Sequence, residues 1–129
     1  MRLAPDKLRP ERRGAVIIEE RMYTLYVGKV PEFMEVYERE ALPILRRHLG
    51  HLFGFFINEV GPQNLLVHLW AFEDFADRDK RRAALAADPA WPAYRAKNQP
   101  KILLQETRIM RAPPFFEATL KAMLKGSAA

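Results

Sequence analysis

A histidine in a predicted β-strand is the side chain best suited to acid–base chemistry in this sequence. His68 lies in the apolar run Leu65–Phe72, and an imidazole titrates near neutral pH, so it could act as a general acid or base. Arg21, Tyr23 and Trp70 would lie near it if the strands that carry them are neighbours. The alternative is a histidine whose hydrogen bonds are satisfied at a dimer interface, since no catalytic motif surrounds it.

Arginine side chains form a second candidate set, because the guanidinium fork matches a carboxylate or phosphate. A basic run on one predicted helix could combine with strand arginines at the mouth of a cavity. The residues concerned are Arg78, Arg81, Arg82, Arg21 and Arg108. The alternative is ion pairing along the surface of the helix, which the i,i+4 spacing of Asp74–Arg78 and Asp77–Arg81 favours.

Aromatic side chains could line a pocket for a planar ligand such as a haem or a polycyclic substrate. Trp70, Phe72, Trp91 and Tyr94 are the candidates, although aromatic residues at such spacings more often form core. No cofactor is predicted, and haem stays an open alternative. The complete set of predicted ligand-binding residues is Arg21, Tyr23, His68, Trp70, Phe72, Arg82, Trp91 and Arg108.

Metal and nucleotide chemistry have no motif to support them. The chain has no cysteine, which excludes thiolate ligands, disulfides and a cysteine nucleophile. The three histidines, His48, His51 and His68, have no carboxylate at a ligand-like spacing, so we expect no metal site. The GxGxxG, P-loop and GxSxG patterns are absent, and nucleotide folds and the common hydrolases are therefore not expected.

The composition is that of one globular domain. The 129 residues are 49% hydrophobic and 29% charged, with a net charge of +5. That charge lies on the two ends, because residues 16–110 carry thirteen basic and thirteen acidic groups. We therefore expect no nucleic-acid partner, because a nucleic-acid-binding protein would concentrate positive charge on its folded domain.

No apolar run approaches the roughly 20 residues of a membrane span. Residues 1–15 lack the apolar stretch of a secretory signal, so we expect a cytoplasmic protein.

Hydrophobic periodicity predicts the order β-α-β-β-α-β for residues 16–112, between a flexible basic extension (1–15) and an amphipathic segment (113–129). The predicted strands are Ile17–Val27, Leu52–Val60, Leu65–Phe72 and Ile102–Met110. The predicted helices are a stripe from Val30 to Gly50 with a kink at Pro43, a helix from the N-cap Asp74 to Ala87, and a short helix begun by Asp88–Pro89. This order is the split βαβ arrangement, in which helices cover one face of a four-stranded antiparallel sheet. Phe115–Lys125 could lie on a membrane surface or pack against a protomer.

The two faces of the third strand differ in chemistry. Leu65, Val67, Leu69 and Ala71 are aliphatic, and we expect them to face the helices. Leu66, His68, Trp70 and Phe72 form a mixed face, which Glu19, Arg21, Tyr23 and Leu25 of the first strand match. Such a face packs against a partner or surrounds a ligand. We expect it to meet a second copy and close an eight-stranded barrel.

The chain resembles the NIPSNAP family, a branch of the dimeric α+β barrel superfamily. The resemblance rests on an ordered set of motifs between residues 16 and 112. They include Glu20-Arg21-Met22-Tyr23-Thr24-Leu25, Gly28-Lys29-Val30, Leu42-Pro43-Ile44, Gly54-Phe55-Phe56, His68-Leu69-Trp70 and Asp88-Pro89-Ala90-Trp91.

The resemblance implies an α+β, ferredoxin-like protomer that forms a homodimer, and it implies little chemistry. We expect a small-ligand-binding or protein-interaction module without an assigned reaction. The alternative is an enzyme resembling a cofactor-independent monooxygenase or a haem-related protein, which would use the cavity between sheet and helices with His68 as base or axial ligand. That alternative is an analogy at the level of the fold.

Overall fold

The sheet of the computed structural model has the predicted connectivity. The structure describes residues 15–126. Its strands are β1 (Ile17–Leu25), β2 (His51–Ile57), β3 (Leu65–Phe72) and β4 (Ile102–Arg111). Its helices are α1 (Val30–Val36), α2 (Leu42–Leu49), α3 (Phe75–Ala87), α4 (Ala90–Asn98) and α5 (Pro114–Gly126), with a π-helical turn (Tyr37–Ala41) after α1 and a 3₁₀ turn (Gln99–Lys101) after α4.

All four strands pair antiparallel in the order β2-β3-β1-β4. The two middle strands are therefore β3 and β1, and Arg21 lies directly opposite His68 in their register. The same register places Tyr23 opposite Leu66 and Glu19 opposite Trp70. The predicted four-stranded α+β sheet is confirmed, and it brings the candidate side chains of two strands onto one surface.

A π-helical turn interrupts the first helical segment just before Pro43. The Leu42 N–H donates to the Tyr37 carbonyl, five residues earlier. Pro43 has no N–H, so it cannot form the α-helical bond to the Arg39 carbonyl. The irregularity predicted at Pro43 thus takes the form of a widened turn on its N-terminal side, and this turn begins at Tyr37. Gly50, with φ of +87°, ends α2 in a backbone conformation that favours glycine.

The predicted orientation of the sheet is wrong. Leu66, His68, Trp70 and Phe72 face the helices and are at most 2% exposed. The aliphatic residues Leu65, Val67 and Leu69 lie on the other face and are only partly buried. A period of two identifies two faces but does not say which one the helices cover. The helices cover the mixed face because its large aromatic side chains fill the deeper space between the two layers, and its polar groups find partners there.

The C-terminal helix α5 covers one end of the opposite face. Leu120 and Leu124 are buried against Ile18 and Ala71, with Phe53 at the edge of this cluster. Phe115, at the start of the helix, is 88% exposed. Between the two placements open from sequence, the structure shows α5 packed on its own protomer. No helix within residues 15–126 is long and apolar enough to cross a membrane.

Candidate functional site

A cavity of about 230 Å³ lies between the sheet and the helices. Six of the eight ligand-binding residues predicted from sequence line it: Arg21, Tyr23, His68, Trp70, Arg82 and Trp91. Further walls come from Phe33, Tyr37, Tyr94 and Asn98. The fold therefore gathers one basic cluster, several aromatic rings and one histidine around a single space.

Phe72 and Arg108 do not belong to this group. Phe72 is buried in the core at the far end of β3 and does not line the cavity. Arg108 lies opposite Glu20 in the register of β1 and β4, on the face away from the helices. Its Nε atom is 2.6 Å from the Glu20 carboxylate. The structure does not bring them to this cavity, because Arg108 has the opposite parity along the sheet and because Phe72 lies further along its strand.

Glu19, which the sequence does not single out as a site residue, is a fully buried carboxylate held by arginines. Arg21 Nη1 donates to its Oε2 at 2.7 Å. Arg78 donates through Nε and Nη2, each at 3.2 Å, in a two-pronged contact. Arg82 Nη1 is 3.9 Å from Oε1. Arg78 also pairs with the exposed Asp79 carboxylate, through Nη1 at 3.5 Å. Two carboxylates thus face three guanidinium groups, which leaves one positive charge in excess, shared by Arg21 and Arg82.

Burial by itself would raise the pKa of the Glu19 carboxyl. The hydrogen bonds from Arg78 and Arg21 and the charges of Arg21 and Arg82 outweigh that effect, so its pKa lies below the usual value. Burial and the neighbouring Arg21 lower the pKa of Arg82. At neutral pH, Glu19 is therefore a carboxylate, and Arg21 and Arg82 are cations.

The helix α3 presents its basic residues to the sheet through one face. Arg78, Arg82 and Leu85 are spaced by four and three residues, and Leu85 is 2% exposed in the core. Asp74 begins the helix by accepting a hydrogen bond from the Asp77 N–H at 2.7 Å, as predicted. Arg81 pairs with Asp77 at 2.8 Å, which confirms one predicted surface pair. The predicted Asp74–Arg78 pair is wrong, because Arg78 turns inward to Glu19.

Arg82 keeps donor positions that face the cavity. Its guanidinium makes no hydrogen bond within residues 15–126, and its contact with Glu19 is a single ion pair. Arg21 is more constrained, because its Nε donates to the Tyr23 hydroxyl at 3.1 Å while Nη1 holds Glu19. The pair can therefore offer fixed positive charge from Arg21 and unused N–H groups from Arg82.

The hydrogen-bond partner of His68 determines which of its nitrogens carries the proton. Trp70 Nε1 lies 2.8 Å from His68 Nδ1. An indole N–H can only donate, so Nδ1 must be the acceptor. A neutral imidazole then carries its hydrogen on Nε2, and that atom has no partner in the described part of the chain. His68 is 2% exposed, and it presents a buried, unused N–H donor.

The protonation state of His68 follows from its surroundings. Burial, and then the positive charge of Arg21, lower its pKa to about 3. At neutral pH the ring is therefore uncharged, with one nitrogen accepting from Trp70 and the other carrying a hydrogen. This geometry assigns His68 the role of a neutral hydrogen-bond donor rather than that of the general base considered from sequence.

The same tautomer does not fit ligation of haem iron. A histidine ligand offers a lone pair from one nitrogen while the other donates its N–H to a second group. In this chain Nδ1 already accepts the Trp70 hydrogen, and Nε2 carries the proton. His68 therefore lacks a free lone pair for iron. The axial-ligand role considered for this residue disagrees with the hydrogen bonding around it.

Tyr37 also lines the cavity, although its spacing predicts only a core position. It is 3% exposed, its ring stacks on Phe33, and its hydroxyl has no partner within residues 15–126. Burial raises its pKa well above the usual value, so the hydroxyl keeps its proton.

Asn98 is another buried residue that the sequence does not mark. It donates to the Phe33 carbonyl at 3.1 Å and to the Tyr94 hydroxyl at 2.9 Å, and so ties α4 to α1.

The remaining histidines lie apart from this site. His48 contacts the Asp88 carboxylate at 2.8 Å, and Asp88 also accepts from Arg47 and from the Ala90 N–H at the start of α4. The helix α4 begins one residue later than its proline predicts, so Pro89 and not Asp88 is its N-cap residue. Within residues 15–126 no cluster of three or more histidine and acidic side chains is arranged to hold a metal ion.

Sequence comparison decides the family to which this fold belongs. A family model described as NIPSNAP matches residues 18–117. The chain belongs to the NIPSNAP family. Protein NipSnap homolog 3A of Homo sapiens is 35% identical to it over 83 residues, which are 64% of this chain and 33% of that protein. This NIPSNAP chain spans about a third of the length of the curated relatives it matches.

Solved structures of bacterial NIPSNAP proteins share the architecture. A NIPSNAP family protein with unknown function from Agrobacterium tumefaciens is 40% identical, with a TM-score of 0.76 over 80% of this chain and 93% of that chain. A NIPSNAP-like domain protein from Burkholderia xenovorans is 41% identical, with a TM-score of 0.75 over 80% and 90% of the two chains. The family resemblance that the motifs indicate is confirmed.

A more distant neighbour shows the fold alone. A candidate antibiotic biosynthesis monooxygenase from Nitrosomonas europaea aligns with this NIPSNAP chain with a TM-score of 0.61 at 14% identity, over 79% of this chain and 94% of that one. The match supports the ferredoxin-like α+β sheet. At this level of identity it carries no reaction across.

Proposed function

We propose that this NIPSNAP protein binds a small anionic molecule with a flat apolar body in the cavity between sheet and helices, without an assigned reaction. The observation that carries the proposal is the charge balance at the cavity wall. Glu19 neutralises only one of its three arginine neighbours. Asp79 pairs with Arg78, so one excess positive charge remains at the buried, aromatic wall. That charge favours an anion, because partial burial strengthens the attraction and the guanidinium fork matches a carboxylate.

The walls of the cavity suit the apolar part of such a ligand. Trp91 and Tyr94 stack on each other with ring centroids 5.2 Å apart, and both line the cavity. Tyr23 contacts His68 edge to face on the sheet side. A planar molecule could therefore contact aromatic carbon along its length and place its charged end at Arg21 and Arg82.

Calorimetric titration of the full chain with phenylacetate, a simple aromatic carboxylate, tests the proposal. We expect binding that weakens at least tenfold in Arg82→Gln, because the free guanidinium donors and their charge are lost. Arg39→Gln is the matched control, since Arg39 lies on the exposed side of the π-helical turn. An absence of saturable binding to the wild-type chain, or equal affinity in the two variants, would contradict the proposal.

We propose in addition that two copies associate through the sheet face away from the helices. Beyond the end that α5 covers, that face carries exposed apolar side chains beside the Glu20–Arg108 ion pair. Phe56, Leu104 and Met110 are 58%, 54% and 38% exposed, and Val67 is partly buried. The partner surface differs from the one expected from sequence, because the His68 and Trp70 face is occupied by the protomer's own helices. The exposed apolar side chains of this face, which a second copy of the same face would cover, support a homodimer.

Sedimentation equilibrium tests the dimer. We expect the wild-type chain to sediment at twice its monomer mass, and Val67→Lys to shift it toward monomer, because the lysine ammonium would be buried in the apolar interface. Ala84→Lys, on the exposed surface of α3, is the control and should leave the dimer intact. A monomeric wild-type chain would contradict this part of the proposal.

The enzyme alternative stays a prediction, and the geometry changes the form it could take. A neutral His68 with its hydrogen on Nε2 can stabilise developing negative charge on an oxygen. Its lone pair, on Nδ1, already accepts the Trp70 hydrogen and is not available to a substrate proton. A cytoplasmic location and the absence of a nucleic-acid partner likewise stay predictions, which cell fractionation and salt-dependent binding assays test.

A further inference from the structure

We infer, resting on the proposed function, that the ligand is an aromatic oxo acid whose carboxylate binds at Arg21 and Arg82 and whose neighbouring carbonyl oxygen accepts a hydrogen bond from His68 Nε2, with Tyr37 as a second donor. The proposed function by itself requires only that the ligand is an aromatic anion. The second oxygen is required by two buried donors that the anionic group does not use.

Both donors are built into the protein interior. His68 and Tyr37 are 2% and 3% exposed, and they come from different elements, the central strand β3 and the π-helical turn. His68 Nε2 and the Tyr37 hydroxyl lack a partner within residues 15–126, and both residues line the same cavity. Buried polar groups are nearly always hydrogen-bonded, so an exception calls for a ligand or an ordered water.

The chemistry of the donors specifies what they can bind. Trp70 occupies His68 Nδ1, which forces the free nitrogen to be a donor and never an acceptor. A ligand atom at Nε2 must therefore offer a lone pair, as a carbonyl oxygen does. An ammonium or amide N–H at that point would place its own hydrogen against the hydrogen on Nε2, and no hydrogen bond could form.

The register of the sheet places the two residues that would hold the ligand side by side. Arg21 and His68 are direct partners across β1 and β3, and both face the cavity. Side chains of such a cross-strand pair have Cβ atoms about 5 Å apart. We therefore expect an anion held by Arg21 and an oxygen held by His68 to belong to neighbouring parts of one small molecule. A carboxylate with a carbonyl one or two carbons away meets this requirement.

Matched probes test the inference. Benzoylformate and phenylacetate are both aromatic carboxylates, and they differ by a ketone oxygen next to the carboxylate. Calorimetric titration of the full chain at pH 7.5 should show benzoylformate binding at least tenfold more tightly. In Tyr37→Phe, which keeps the ring and removes the hydroxyl, that ratio should fall several-fold. Tyr26→Phe, at a half-exposed tyrosine outside the cavity, should keep it.

The outcomes separate the two levels of the proposal. Equal affinity for both probes in the wild-type chain, or a ratio unchanged in Tyr37→Phe, would overturn the oxo-acid inference and leave anion binding intact. Failure of both probes to bind would overturn the proposed function as well. A tighter fit for benzoylformate that depends on the Tyr37 hydroxyl would support both.

Discussion

The Trp70 indole donates its hydrogen to His68 Nδ1 at 2.8 Å, between side chains two residues apart on the same face of β3. Trp70 is thus a positioning residue, since it holds the imidazole in one tautomer and leaves the hydrogen on the unpartnered Nε2. Because this contact occupies the lone pair on Nδ1, His68 can offer a ligand only the hydrogen on Nε2.

Replacement of Trp70 by Phe should release this constraint. The His68 ring then has no donor at Nδ1, and its hydrogen should distribute over both nitrogens. Nitrogen-15 spectra of the imidazole, which distinguish the two tautomers, should show a single Nε2–H form in the wild-type chain and a mixture in Trp70→Phe. A wild-type spectrum dominated by the Nδ1–H form would contradict the assigned geometry.

Acidification should destabilise the fold through His68. Its folded-state pKa, about 3, lies below its ordinary value of 6.5 because of burial and the charge of Arg21. The unfolded chain therefore takes up the proton first. The contribution of neutral His68 is complete above about pH 6.5 and is lost as pH falls toward 3, at no more than about 1.4 kcal/mol per pH unit.

Urea unfolding between pH 7 and pH 5 measures this effect, in a range above the usual titration of Glu19. The free energy of unfolding should fall more steeply with decreasing pH in the wild-type chain than in His68→Gln. Glutamine can still accept from Trp70 and does not titrate. Parallel curves for the two proteins would show that His68 carries no such linkage.

Replacement of Glu19 by Gln should affect stability and binding in opposite directions. Removing the buried carboxylate leaves Arg21, Arg78 and Arg82 without their shared counter-charge, which should cost about 3 kcal/mol of unfolding free energy. The extra positive charge should tighten binding of phenylacetate. Glu20→Gln, which alters an ion pair on the opposite face of the same strand, should change stability by less than about 1 kcal/mol.

Denaturant unfolding and calorimetry on the same preparations check both effects. Equal stability of the Glu19 and Glu20 variants would mean that the arginine cluster does not depend on Glu19. Weaker anion binding in a folded Glu19→Gln protein would mean that the excess charge does not recruit the ligand.

The C-terminal helix should contribute to the stability of the protomer. Leu120 is 5% exposed against Ile18 and Ala71, and its truncation to Ala should cost about 2–3 kcal/mol through lost contacts and a cavity. Met123→Ala, at a side chain 51% exposed on the same helix, should cost well under 1 kcal/mol. Thermal unfolding of the two variants measures the difference, and similar losses would contradict the packing of α5 on the sheet.

Periodicity was sufficient to predict the strands, their order and much of the site. Arg21, Tyr23, His68 and Trp70 share a face because they alternate along two strands that the split βαβ order makes neighbours. The direction of that face was not predictable, since alternation is symmetrical and an aliphatic set suggests a core as strongly as an aromatic one. The outcome depends on how much volume the helices leave to be filled.

The electrostatics of the site were less accessible from sequence. Glu19 is separated from Arg78 by 59 residues, so no local pattern reveals their contact, and the i,i+4 spacing with Asp74 suggests a different partner for Arg78. Tyr37 has the spacing of a core residue, and only the π-helical turn and the cavity beside it give its hydroxyl significance.

Observation of the His68 Nε2–H signal during a titration with benzoylformate tests the central claim most directly, because it reports ligand binding at a named atom. We expect this proton resonance to move downfield and the shift to saturate together with the calorimetric binding curve. A resonance that stays unchanged while the probe saturates the chain would place the ligand elsewhere and contradict binding at His68.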